Sequence, residues 1–259
     1  MSIGGATDCD MITNHSIITP QWAVIPLEEA DRIPHPAVLC TTIRVESDVV
    51  QDLFQALLPD EQQRALRFRQ TEDRLRFIIG RALLRKLLNS YTHQRLENIP
   101  FQHDAYGKPA LAPHFNAPQF NLAHAGDYVV IGLDAHPIGI DIEYLNPHFD
   151  FNTLLPANFS AEEIRHIQDA SSPYSNFYLL WTRKEAFLKH IGYGLTQSPI
   201  HVPALQGTHP LQHRFGTDDR TKHHYHSHSC YLTDSNHLLS ICLNNSDGHS
   251  PAFYEIQLP

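Results

Sequence analysis

The sequence predicts an α/β (α+β) fold of two similar subdomains, each a long helix packed on a small, mostly antiparallel sheet and related by pseudo-twofold symmetry. Three observations carry this. Two strong helical patterns occur, one from Thr71 to Tyr91 and one running from Phe177 to near Gly192. A strand–turn–strand pattern from Phe120 to Leu133 is echoed 110 residues later, where Leu122, Gly126, Ile131 and Leu133 match Leu232, Asn236, Ile241 and Leu243. At 259 residues and 42% apolar, the chain is long enough to enclose a core in each half.

Taken in order, residues 1–20 read as an irregular N-terminal tail, 21–135 as an N-terminal subdomain and 136–259 as a C-terminal one. Trp22 to Leu27 and Val38 to Val45 read as strands; Ser47 or Asp48 caps a helix to Leu58, and Pro59-Asp60-Glu61 opens another. In the 71–91 helix, Leu75, Ile78, Ile79, Ala82, Leu83 and Leu87 form one apolar stripe, edged by Arg74, Arg81 and Arg85 on one side and by Arg76 and Gly80 on the other. Those arginines also read simply as chains that snorkel to water. Tyr106-Gly107-Lys108-Pro109 is a turn by its Gly and Pro, and Ala125-Gly126-Asp127 joins the hairpin strands. Ser160-Ala161-Glu162-Glu163 starts a helix.

The chemistry concentrates in two segments. In Gly139-Ile140-Asp141-Ile142-Glu143, strand alternation puts Ile138, Ile140 and Ile142 on one face and both carboxylates on the other. Two acids on one half-buried face repel, and a hard divalent cation such as Mg²⁺ relieves this while keeping waters and phosphate oxygens as its other ligands. In Trp181-Thr182-Arg183-Lys184-Glu185-Ala186-Phe187-Leu188-Lys189, Trp181, Glu185 and Lys189 recur at four-residue spacing on one helical face. Glu185 is placed to be a third metal ligand or a base, and Lys189 a phosphate contact. A surface Glu–Lys pair is the plainer reading of that helix taken alone.

Composition bounds the rest. No stretch is long and apolar enough to span a bilayer, and the N-terminus lacks an export signal, so neither membrane nor secretion is expected. Cys9, Cys40, Cys230 and Cys242 are scattered without a Cys-x-x-Cys pair, which suits a reducing cytoplasm. A formal charge of −9 argues against nucleic acid. The tract from His223 to His228 reads either as a transition-metal site or as a solvent-facing strand.

Five places in order, the Arg76–Arg85 helix, Tyr106–Pro109, Phe120–His124, Gly139–Glu143 and Trp181–Lys189, resemble the 4′-phosphopantetheinyl transferases of the longer, surfactin-synthetase-activating type, over roughly residues 20 to 245. The resemblance implies transfer of 4′-phosphopantetheine from coenzyme A to a serine of an apo acyl or peptidyl carrier protein, leaving adenosine 3′,5′-bisphosphate. It implies Mg²⁺ on Asp141, Glu143 and Glu185, with Glu185 and Lys189 catalytic. For coenzyme A it implies Arg64 and Arg76 near the 3′-phosphate, Tyr106, Gly107, Lys108 and Pro109 around the adenine, and Ala123, His124, Asp141, Glu185 and Lys189 along the phosphates. Ala123 stands where many members have Ser, and Glu61 where some are basic. Carrier docking is expected near residues 150 to 195, and one chain holding both halves implies a monomer. The alternatives are an inactive relative that binds coenzyme A or a carrier, or a different Mg²⁺-dependent phosphate enzyme; no Walker-type loop supports the latter.

Overall fold

The computed structural model describes residues 9–92, 101–103, 108–112, 114–115, 117–193, 198–211, 222–244 and 249–258. The strands are β1 (Met11–Asn14), β2 (Trp22–Pro26), β3 (Ala37–Thr42), β4 (Phe101–His103), β5 (Pro109–Leu111), β6 (Gln119–Ala125), β7 (Tyr128–Asp134), β8 (Ile138–Tyr144), β9 (Gly207–Pro210), β10 (His224–Tyr231), β11 (His237–Leu243) and β12 (Ala252–Gln257). The helices are α1 (Ser47–Gln55), α2 (Pro59–Leu66), α3 (Thr71–Thr92), α4 (Leu155–Asn158), α5 (Ala161–Gln168) and α6 (Pro173–Ile191).

Two five-stranded sheets result, ordered β2-β12-β3-β7-β6 and β8-β11-β10-β1-β9. The repeat seen in the sequence is built into them. Strand β3 pairs antiparallel with β7, and β7 with β6; likewise β8 pairs with β11, and β11 with β10. Each unit therefore runs strand, short helices, long helix, hairpin, and α3 and α6 cover the outer faces. Between the sheets lies an apolar layer that includes Val38, Val130, Ile138, Ile140, Ile142, Leu239 and Ile241. The three alternating isoleucines of β8 thus face inward, which turns Gly139, Asp141 and Glu143 toward α6.

The division at residues 135 and 136 falls in the link between β7 and β8, but the chain ends cross it. Residues 11–14, expected in an irregular tail, form β1 and pair with β10 and β9 in the second sheet. Strand β12, from the expected C-terminal subdomain, lies between β2 and β3 in the first. Helix α6 also begins earlier than its apolar run, because Pro173 sits in its first turn, where the ring costs no hydrogen bond.

The histidine tract leads into β10, where His224 is exposed but the following histidines turn inward. His226 and His228 are buried, His15 of the β1 segment stacks on His228 at 4.3 Å, and His15 Nε2 lies 3.2 Å from His226 Nδ1. Burial and neighbouring imidazoles hold His226 down to about 4 and His228 to about 3.

Candidate active site

The acids of β8 meet α6 because glycine lets them. A Cβ added at Gly139 would stand 1.9 Å from the Ala186 carbonyl oxygen and 2.3 Å from the His190 nitrogen, so strand and helix touch backbone to backbone. The two elements run in opposite directions. Trp181, near the middle of α6, donates its indole N–H to Glu143, while Lys189, near its end, donates to Asp141 Oδ1 at 2.6 Å.

Glu185 lies between them on the helix and is buried. Burial, then the charges of Asp141 and Glu143, push it up to about 7, with Lys189 pulling the other way. Glu143 is likewise raised to about 7, by burial first and Asp141 second. Asp141 is raised by burial against the pull of Lys189. Burial leads in all three shifts, and the Asp141 charge adds to those of Glu143 and Glu185.

Two oxygens of this group, Asp141 Oδ2 and Glu185 Oε1, are buried without a hydrogen-bond partner. Hard, open oxygen donors beside like charge match what Mg²⁺ takes, and Mg²⁺ needs only one or two protein carboxylates when phosphates supply the rest. Among the described residues, no three ligating side chains are already gathered tightly enough to cage a metal by themselves. In this arrangement the Lys189 ammonium supplies the positive charge at Asp141.

From the first half, His124 and Arg76 approach this group, His124 near enough to feel the Lys189 charge. Gly80 brings α3 close to the hairpin, where an added Cβ would stand 3.0 Å from Leu122 Cδ1, and His124 follows Leu122 on the same face of β6. The His124 ring reaches solvent, yet crowding by protein, then Arg76 and Lys189, holds its pKa below the ordinary value. It therefore lies within the field of cations from both halves. Arg76 pairs with Asp73 and donates to the Gly126 carbonyl at 2.5 Å, which fixes the hairpin turn.

Other residues expected at coenzyme A are engaged with the protein itself. Arg64 is exposed on α2 with its guanidinium 5.1 Å from the Phe77 ring, in the company of Arg81 at 5.9 Å. The Ala123 methyl is buried in the layer between the sheets, so only its main chain can reach a ligand. Glu61 is structural: it accepts from Leu58 N–H at 3.1 Å and grips Arg85 at 2.7 and 2.9 Å. The Lys108 ammonium donates to the carbonyls of Ile138 and Lys189. Pro109 opens β5, and Tyr106 and Gly107 lie outside the described residues.

Sequence reasoning missed four contributors. Asn121 Oδ1 accepts from Ile140 N–H at 2.8 Å, an amide set between Phe120 and Leu122 being the available signal. Gly139 had its own signal, a glycine in mid-strand. Lys184 and Arg183, to which the sequence reading gave no role, are buried. Lys184 pairs with Glu163 at 3.0 Å, and Arg183 donates to the Ala204 and His15 carbonyls at 2.8 and 2.6 Å.

Comparison with known proteins accords with this geometry. Residues 46–136 match the family model described as "4′-phosphopantetheinyl transferase, N-terminal", and residues 137–242 match "4′-phosphopantetheinyl transferase superfamily". The chain is 34% identical over 168 residues to the 4′-phosphopantetheinyl transferase HetI of Nostoc sp., covering 63% of this chain and 71% of that protein. It is 32% identical over 140 residues to the 4′-phosphopantetheinyl transferase Sfp of Bacillus subtilis, covering 53% and 61%. A third relative, 4′-phosphopantetheinyl transferase gsp of Aneurinibacillus migulanus, is 31% identical over 159 residues, covering 59% and 65%.

Proposed function

Because the chain belongs to the 4′-phosphopantetheinyl transferase superfamily, we propose that it transfers phosphopantetheine from coenzyme A to a serine of an apo carrier protein at the junction of β8 and α6, with Mg²⁺. The single observation that carries this is the convergence of three carboxyls, Asp141, Glu143 and Glu185, each raised by burial, around the Lys189 ammonium, which donates to Asp141 Oδ1 at 2.6 Å.

Asp141, Glu143 and Glu185 would hold the metal. When bound, Mg²⁺ offsets the charge of the pyrophosphate and polarises the phosphorus under attack. Glu185, raised to about 7, is suited to accept the serine hydroxyl proton near neutral pH, directly or through a water. The serine oxygen then bonds to the β-phosphorus as the bond to the bridging oxygen breaks, and that oxygen leaves with adenosine 3′,5′-bisphosphate. The Lys189 ammonium donates to the departing phosphate, where negative charge accumulates. Arg76 and His124 border the anionic nucleotide from the first half, with the main chain of Ala123 beside them.

The site draws on both halves of one chain, so a monomer suffices. All four cysteines are unpaired, which is compatible with a reducing cytoplasm. Among the described residues no helix is long and apolar enough to cross a membrane.

The test is mass spectrometry of a panel of apo carrier domains incubated with coenzyme A and protein, with and without Mg²⁺. The expected result is a phosphopantetheine mass gain that needs the metal, with turnover cut about a hundredfold or more in Glu185→Gln. No gain on any carrier would reject the reading, and near-normal turnover in the variant would remove Glu185 from the mechanism.

A further inference from the structure

Strand β8 carries two of the acids and is the edge strand of its sheet, so the main-chain groups along its outward side need partners from elsewhere. Two first-half side chains meet that need. Asn121 Oδ1 accepts from Ile140 N–H at 2.8 Å, and Lys108 Nζ donates to the Ile138 carbonyl at 3.1 Å. Residues 138 and 140 point their main-chain groups to the same side of the strand, so the two contacts secure one edge.

The same ammonium donates to the Lys189 carbonyl at 2.7 Å. That carbonyl is among the last four of α6, which have no partner in an uninterrupted helix ladder. The Tyr193 N–H that would continue the ladder bonds to Leu188 O instead, around Gly192 in a left-handed conformation (φ 80°). A cation at this end also opposes the negative pole of the helix. One side chain therefore ties the first half to both the start of the acid strand and the end of the catalytic helix. Since β8 and α6 touch backbone to backbone at Gly139, a slide of one against the other displaces Lys189 directly.

We propose that Lys108 is a positioning residue for the transfer reaction: its ammonium fixes the end of α6 against the start of β8, and thereby holds Lys189 on Asp141 at 2.6 Å. This rests on the transferase reading. It assigns the Lys108 side chain to the protein's own carbonyls rather than to the nucleotide.

The experiment compares Lys108→Met, Lys108→Arg, Lys189→Met and the double methionine variant, by kinetics on an apo carrier and by amide hydrogen exchange. Lys108→Met is expected to lower kcat by about tenfold to a hundredfold, the scale of a small misplacement of a catalytic group, with KM for coenzyme A unchanged. Lys108→Arg, which keeps charge and donors, recovers most of the rate. The double variant is no slower than Lys189→Met alone, because Lys108 acts through Lys189. Without any reference to activity, amides of residues 188–193 exchange faster in Lys108→Met. A raised KM for coenzyme A at unchanged kcat would overturn the proposal in favour of a phosphate contact. Additive losses in the double variant, or unchanged exchange at the end of α6, would also overturn it. Wild-type protein that modifies no carrier, with exchange still rising in Lys108→Met, would reject the transferase reading alone and leave the fastening supported.

Discussion

In the first half, Glu61 sits at the third position of α2, accepts a main-chain N–H at the helix start and pairs with Arg85 of α3 at 2.7 Å. In the second, Glu163 sits at the third position of α5, accepts from Ser160 N–H at 2.8 Å and pairs with Lys184 of α6 at 3.0 Å. Each cation also lies near a ring, Arg85 4.7 Å from the Phe101 centroid and Lys184 5.2 Å from that of Phe159, although Phe101 follows its long helix and Phe159 precedes its short one. Both halves thus lock a short helix to a long one with a buried acid, a buried cation and an aromatic. They part at the strand beneath the long helix. Leu39 of β3 joins the apolar cluster under α3, whereas β8 turns Gly139, Asp141 and Glu143 toward α6. The shared ion pairs are scaffold, and the acids on one strand are what the second half adds.

The largest effect tests the shared scaffold. Glu61→Gln and Glu163→Gln each leave a buried cation without its counter-charge, which costs roughly 3–5 kcal/mol. Urea unfolding should find the two losses similar. A loss confined to one half would break the equivalence.

A smaller effect sharpens the difference. Gly139→Ala pushes a methyl into the Ala186 carbonyl at 1.9 Å, and neither backbone can yield. The expected cost is about 3 kcal/mol, at the upper end for overpacking, with activity lost as α6 lifts from β8. Gly80→Ala meets only the movable ends of Leu122 and Val129, at 3.0 and 3.2 Å. It also gains nearly 1 kcal/mol of helix propensity, so its net change should stay within about 1 kcal/mol. Thermal unfolding of the two variants side by side checks this, and equal destabilisation would contradict it.

How far these features were legible in the sequence follows from how local they are. The alternation of Ile138, Ile140 and Ile142 with Gly139, Asp141 and Glu143, and the four-residue spacing of Trp181, Glu185 and Lys189, are short-range periodicities, and the structure keeps both. The hairpins were legible for the same reason. Strand β1 was not: Met11–Asn14 is four residues long, and its pairing with His224–Ser227 depends on a segment more than 200 positions away. Nor was the burial of Lys184, since a lone lysine reads as solvated until its partners, Glu163 and the carbonyls of Pro199 and Val202, are brought to it. Gly139 was read as a strand residue on the acid face, but its need for direct contact with α6 appears only once that helix is placed.

The smallest effect separates the halves by pH. Glu143 and Glu185 rise from an ordinary 4.5 to about 7 on folding. Without metal, the native state therefore binds more protons than the unfolded chain between roughly those values, and stability falls as pH rises through that window. The contribution is whole below the unfolded value and gone above the folded one. Glu185→Gln carries a permanently neutral group in place of one that must ionise. Relative to wild type, the variant should gain about 1–2 kcal/mol between pH 5 and pH 8, a figure kept below the full shift because the acids titrate together. Mg²⁺ should offer wild type the same relief at pH 8, and should give Glu185→Gln less, since one ligand is gone. Denaturant titrations at the two pH values, with and without Mg²⁺, measure this directly. A difference between variant and wild type that stays flat with pH would mean that Glu185 does not share its charge with Asp141 and Glu143. The acids of β8 would then be no more of a site than the apolar strand β3 opposite them.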